Sequence, residues 1–233
     1  MLSSGSGDPG IICFQHCISK VFCLALPDVC PTCRQHLNEK DLKLLPFRLP
    51  YPFVRASQHP CSIVLRPTTG DFLNDYNNTT DLHIALTTSR GTIVEFDRNG
   101  LQRHSTKGGA SSWNQSLLVE SVPEPWHELW DNVLMQICKQ SHWTVEHYNE
   151  ESYNCYTFVL SFLQELCYEK LSRAAQSKTS FCEKYIVPRT TTAGKYISLF
   201  RKIRDNKVYT HAAKESPPGP RGNPISKLST IEE

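Results

Sequence analysis

Two short segments whose central residues lie 72 positions apart carry the residue types that thiol chemistry needs: Asp81-Leu82-His83-Ile84-Ala85-Leu86 and Tyr153-Asn154-Cys155-Tyr156-Thr157-Phe158. The first reads as a strand and the second as the opening of a helix. A cysteine at a helix N-terminus sits beside unpaired N–H groups and a partial positive charge that favour thiolate over thiol, and an imidazole on a nearby strand can take or return the proton. Asn154 supplies a polar N-cap for that helix. Cys155 is therefore the candidate nucleophile and His83 the candidate base. The competing reading is plain packing. Cysteine is among the most buried residue types, so Cys155 could fill the core at the first turn of an apolar helix, and His83, on the strand face of Ala85, could hydrogen-bond within the core.

A second set of chemistry-bearing residues lies near the N-terminus, where the first 33 residues hold five of the ten cysteines. Cys30-Pro31-Thr32-Cys33 is a tight Cys-x-x-Cys turn, and 12 residues separate Cys17 from Cys30, so two short loops can meet around a tetrahedral zinc ion. Cys17, Cys30 and Cys33 are three candidate ligands, with Cys13 or His16 as the fourth. Neighbouring residues of an extended chain point opposite ways, which favours Cys13 over His16 unless the loop bends. Four protein ligands leave no position open for water, so the expected Zn2+ is structural. Buried free thiols, or a redox dithiol at Cys30 and Cys33, are the alternatives.

The elements that must position these residues are legible from pattern. Residues 1–10 read as a flexible start, 11–45 as a Cys-rich zinc-binding-like segment, and 46–60 as a Pro-rich connector. A 61–210 α+β domain follows, and 211–233 read as a disordered tail, with three prolines and two glycines between Ser216 and Asn223. Within the domain, 61–66 is a strand, and 82–88 and 92–97 flank Ser89-Arg90-Gly91 as a hairpin. Arg98 to Ser112 reads as a polar loop, 116–122 as a strand, and 124–140 as a helix. The helix from Cys155 to about Lys170 places Tyr156, Val159, Leu160, Leu163 and Cys167 on one apolar face, and 195–205 forms a last amphipathic helix.

The chain has 233 residues, 39% hydrophobic and 21% charged, with a formal net charge of +2. So small an excess gives no global reason to expect nucleic acid or an anionic membrane as a partner. No stretch approaches the length of a membrane span, and Met1 to Gly10 lacks the pattern of a secretory signal. The expected location is intracellular, cytoplasmic or nuclear.

The stretch "DLHIALTTSRGTIVEFD" followed by "YNCYTFVLSFL" resembles circularly permuted papain-like folds, such as the lecithin retinol acyltransferase-like and deubiquitinating-type peptidase groups. The resemblance covers roughly residues 61 to 170 and implies an antiparallel sheet with packed helices, Cys155 as nucleophile and His83 as base. The third member is left open. Asp97 could lie across the hairpin from His83 if the turn has three residues, with Glu95 at a neighbouring pair on the same face. Over nearly the whole chain, "FQHC", "CPTC", "CSIVLRPTTGDF", "DLHIAL", "YNCYTF" and "EKYIVPRT" are similar to the makorin-2 opposite-strand protein family. That name records a genome position and implies no ubiquitin-ligase or RNA-binding activity.

Two functions are expected to compete. The favoured one is a non-catalytic interaction protein, whose permuted papain-like domain and zinc knuckle present surfaces to a protein partner. The other is a thiol hydrolase or acyltransferase using Cys155 and His83.

Overall fold

A computed structural model describes residues 8–105 and 111–212. The expected flexible start up to residue 7 and the expected tail beyond residue 212 lie outside the described residues. Among the described residues, nine strands and five helices make up an α+β fold: β1 (Ile12–Gln15), β2 (Ser19–Cys23), β3 (Leu44–Arg48), β4 (Ser62–Pro67), β5 (Leu82–Thr87), β6 (Ile93–Asp97), β7 (Gly100–His104), β8 (Leu117–Ser121), α1 (His127–Ile137), α2 (Cys155–Leu166), α3 (Glu169–Ser172), α4 (Lys178–Phe181), α5 (Val187–Asn206) and β9 (Val208–Ala212). None of these helices is long and apolar enough to cross a membrane.

The larger sheet is antiparallel, in the order β7-β6-β5-β4-β8. The interior strand β4 carries the apolar run Ile63-Val64-Leu65, buried on both faces, which is why that strand shows no polar alternation. One face carries Ile63, Leu65, Ile84, Leu86, Val94 and Phe96 into the main core under α1 and α2. The opposite face buries Val64, Ala85 and Ile93 with Ala56 and Trp113. Helix α2 buries Cys155, Phe158, Val159, Phe162, Leu163 and Leu166, a stripe at three- and four-residue spacing. Trp130 of α1 meets Phe162 edge-on at 4.6 Å between ring centroids.

The β5–β6 hairpin forms as its sequence predicts. Thr88 and Thr92 close a three-residue loop in which Gly91 adopts φ 75°, a conformation only glycine enters without strain. The tip is tied to α1, since Ser89 donates from its backbone N–H and its hydroxyl to Asp131.

Three expectations need correction. The polar stretch from Arg98 contains β7, whose single apolar residue, Leu101, gives no alternation; the strand exists because it pairs with β6 over five residues. Helix α2 stops at Leu166, and Cys167 turns left-handed at φ 54° and becomes exposed, so it leaves the apolar face assigned to it. The last helix begins at Val187, eight residues earlier than its apolar pattern predicts. A π-helical turn, Cys182–Ile186, joins α4 to α5 and ends two residues before Pro188. Proline removes an N–H and crowds the carbonyl four residues back, so one wide turn accommodates it without ending the helix.

The N-terminal segment is built into a second sheet, β3-β1-β2-β9, whose strands come from both ends of the described chain. Phe22 of β2 faces Tyr209 of β9 with ring centroids 6.1 Å apart. Truncation after Lys207 removes a strand paired over five residues and should lower the thermal midpoint by several degrees. Truncation after Ala212 should cost distinctly less. Equal losses in the two variants would mean that β9 contributes nothing to the sheet.

Candidate functional site

Four adjacent strands each contribute a polar side chain to a row on the face opposite the main core. Arg66 on β4 is the register partner of His83 on β5; Glu95 on β6 and His104 on β7 continue the row. Glu95 is its centre. Its Oε2 lies 2.6 Å from His83 Nε2 and 3.7 Å from Arg66 Nη2, and its Oε1 lies 2.5 Å from His104 Nε2 and 3.4 Å from the Trp113 indole N–H. The Arg66 guanidinium sits 4.9 Å from the centroid of the Trp113 ring. His83 Nε2 and Glu95 Oε2 make no hydrogen bond of standard angles, so their contact is held as an ion pair.

The charges support one another. Burial favours the neutral imidazole at His83, but polar interactions with the Cys155 side chain and then with Glu95 outweigh it and carry the pKa up to about 9. Burial likewise opposes ionisation of Glu95, yet His83, Arg66 and His104 bring its carboxyl down to about 2. Both residues are nearly inaccessible, at 5% and 3% exposure, which keeps water from screening the pair.

Of the two acids left open by the sequence, Glu95 is the one that lies against His83. Extrapolating the hairpin register would set Asp97 opposite His83, but pairing of β5 with β6 is kept only at Leu86↔Val94 and Thr87↔Ile93. Asp97 instead uses its carboxylate in the β6–β7 turn, accepting from the Asn99 backbone at 2.8 Å and side chain at 3.2 Å. Glu95 reaches His83 diagonally. Arg66, His104 and Trp113 went unread as site residues. Face parity along β4 to β7 would find the first two once the register is known; nothing local marks the third.

Cys155 is the first residue of α2, and Asn154 caps it. The Asn154 side-chain oxygen accepts from the Tyr156 N–H at 3.0 Å, and the Thr157 hydroxyl accepts from the Asn154 N–H at 3.2 Å, closing a capping box. This end of α2 lies where β5 begins. Nε2 of His83 faces Glu95, and the Cys155 side chain is the other polar group acting on the ring. Both residues line one cleft of ≈ 530 Å³.

The pair carries a pH signature of stability. The raised pKa of His83 contributes fully below its ordinary value of 6.5 and is lost as pH rises through about 9. The lowered pKa of Glu95 contributes above its ordinary value of 4.5 and is lost as pH falls through about 2. The gap in thermal midpoint between wild type and Glu95→Gln should therefore be widest between those two ordinary values and shrink on either side. A gap independent of pH would show that the contact is not ionic.

The second site is the N-terminal cluster. One ligand atom each from His16, Cys17, Cys30 and Cys33 falls within 4.8 Å of every other. The Cys17 and Cys30 sulfurs are 3.8 Å apart, and Cys33 Sγ is 3.2 Å from His16 Nδ1. A tetrahedron with metal–sulfur bonds of about 2.3 Å has edges of about 3.8 Å, so the sulfur spacing fits a four-coordinate ion. The turn is built locally. Pro31 presets the bend, Arg34 adopts φ 63°, and its N–H returns to the Cys30 carbonyl at 2.8 Å. Burial opposes ionisation of Cys17, but the Ser19 and Ile18 amides outweigh it and hold its thiol below the ordinary value.

The preference for Cys13 as fourth ligand is corrected. Cys13 is buried within β1, opposite Phe22 and Phe47, about three strand residues or ~10 Å from the hairpin loop that holds Cys17. Residues 16–18 bend between β1 and β2, so the alternation rule for extended chain does not apply to His16 and Cys17.

Comparison with known proteins matches the models described as DUF4796 N-terminal and DUF4796 C-terminal to residues 9–37 and 46–203. The first span contains the four clustered residues and the second contains His83, Glu95 and Cys155. The Homo sapiens protein named MKRN2 opposite strand protein is 32% identical over 202 residues, covering 85% of this chain and 88% of the relative. No solved structure matches the chain. On the extent of these matches, the chain belongs to the MKRN2 opposite strand protein family, defined by the DUF4796 N- and C-terminal regions.

Proposed function

We propose that the chain is a cysteine-dependent acyl-transfer protein, a hydrolase or acyltransferase, with Cys155 as nucleophile, His83 as general base and acid, and Glu95 orienting the imidazole. The observation that carries this reading is the buried His83–Glu95 ion pair beside a helix-start cysteine, with His83 and Cys155 lining one cleft. In the first step the Cys155 sulfur bonds to the acyl carbon, the bond from that carbon to the leaving group breaks, and His83 gives the leaving group its proton. Water then attacks the thioester with His83 as base, releasing a carboxylic acid and restoring the thiol. The Cys155 backbone N–H, outside the Asn154 cap, is the natural donor to the developing oxyanion. The likeness to permuted papain-like folds supports the same assignment.

Reaction with p-nitrophenyl acetate tests it: a burst of nitrophenolate equal to the protein present is expected, with the acetyl group on Cys155. The burst should vanish in Cys155→Ala. An adduct on another cysteine, or none, sinks the reading.

His16, Cys17, Cys30 and Cys33 are proposed to hold one structural zinc ion, which would cross-link the β1–β2 loop to the Cys-x-x-Cys turn. A non-catalytic interaction role retains one specific support. The edge strand β3 exposes Leu45 at 61% and Phe47 at 45%, an apolar edge of the kind partners cover.

A further inference from the structure

The cleft in front of Cys155 has a charge pattern that the chemistry of the nucleophile does not require. Three carboxylates, Asp81, Glu150 and Glu151, line it together with one cation, Lys178, besides His83, whose charge is already met by Glu95. The three carboxylates and Lys178 are exposed, and none of these four enters an ion pair among the described residues. The Lys178 ammonium lies over the Tyr156 ring, 4.9 Å from its centroid, so its charge meets a neutral partner.

The acids are attached to the catalytic elements. Asp81 directly precedes β5 and stands two residues before His83. Glu150 and Glu151 lie in the bend leading into α2, which is pinned at two points. The Asn149 side-chain oxygen accepts from the Glu151 and Ser152 N–H groups, each at 3.0 Å, and Asn154 Nδ2 donates to the Glu150 carbonyl at 2.6 Å. The carboxylates therefore project from backbone fixed relative to Cys155. A net excess of negative charge on the walls of a concave site concentrates cations there. Tyr148 and Tyr156, both half-buried in the same walls, add aromatic surface on which an ammonium or guanidinium and its alkyl stem can rest.

We propose that this cleft selects an acyl donor carrying a positive charge near its reactive carbonyl, as a lysine- or arginine-bearing peptide segment does. The inference rests on the acyl-transfer reading of Cys155 and adds the substrate class to it. Lys178 is the opposing feature, and an anionic substrate held by it is the contrary outcome.

Two thiol reagents of equal chemistry and opposite charge separate these cases: the trimethylammonium-ethyl and sulfonato-ethyl methanethiosulfonates. Each transfers its alkylthio group to the attacking thiolate; a disulfide forms at the cysteine, the reagent's S–S bond breaks, and methanesulfinate leaves with the bonding electrons. Rates at Cys155 are read by peptide mass spectrometry on the intact chain and normalised to the same reagents acting on the urea-unfolded protein. The cationic reagent should be favoured by about tenfold at low salt, and high salt should remove the preference. The Glu150→Gln, Glu151→Gln double variant should lose most of it, and Lys178→Gln should increase it. A normalised ratio of one, a ratio favouring the anion, or a preference indifferent to the double variant overturns the proposal. Slow reaction with both reagents counts against the acyl-transfer reading, while the ratio still decides the charge preference.

Discussion

At neutral pH, iodoacetamide should alkylate Cys155 faster than any thiol outside the N-terminal cluster, and His83→Ala should slow that reaction by about tenfold or more. Accessibility alone predicts the reverse order. Cys167 is exposed and Cys155 is only 6% exposed, so an unactivated Cys155 would trail it. Burial pushes the Cys61 thiol up to about 12 and raises those of Cys138 and Cys182, which makes these three slow internal references. Cys182 is the most informative of them because it lines the same cleft.

Glu95→Gln should fall between wild type and His83→Ala, since the amide keeps the shape of the side chain but removes the charge facing the imidazole. His83→Gln provides a folding control that leaves a polar side chain at the site. If Cys155 labels more slowly than Cys167 in the wild type, or if its rate is unchanged in His83→Ala, the cysteine is a structural residue. The family then uses this arrangement as architecture, and the apolar edge of β3 becomes the surface to pursue.

The second large effect concerns metal. Purified protein should carry about one zinc per chain by elemental analysis, and Cys30→Ser or Cys33→Ser should bring this close to zero. His16→Ala should do the same, whereas Cys13→Ser should leave the zinc content unchanged. That contrast tests the choice of fourth ligand directly. Removal of the metal should loosen β1 and β2 and, through Phe22 and Tyr209, β9 as well. Hydrogen exchange should therefore rise at both ends of the described chain together. Exchange confined to the first 45 residues would show that β9 holds its place without the knuckle. Absence of zinc from protein prepared without chelators would leave the four residues as a metal-free cluster of three thiols and an imidazole.

Much of the site was legible from residue types and spacing. The Asn154-Cys155 helix start follows from a cap residue before an apolar stripe, and the β5–β6 hairpin from a glycine at the one position that needs a left-handed turn. Cys30-Pro31-Thr32-Cys33 announces a ligand turn because its chemistry and its geometry are both local. These features depend on interactions reaching only a few residues along the chain, which sequence records directly.

What needed the tertiary structure was every choice between near-equivalent partners. Glu95 prevails over Asp97 because strand pairing lapses beyond Leu86↔Val94 and a turn two residues further on captures Asp97's carboxylate. His16 stands in the cluster and Cys13 does not because the β1–β2 loop bends where an extended chain would alternate. Strand β7 and strand β9 exist by pairing with β6 and β2, with little apolar pattern of their own. The residue types that can do chemistry are written in the sequence. Which of them meet is decided by sheet register, loop curvature and long-range pairing, whose energies come from residues far apart along the chain.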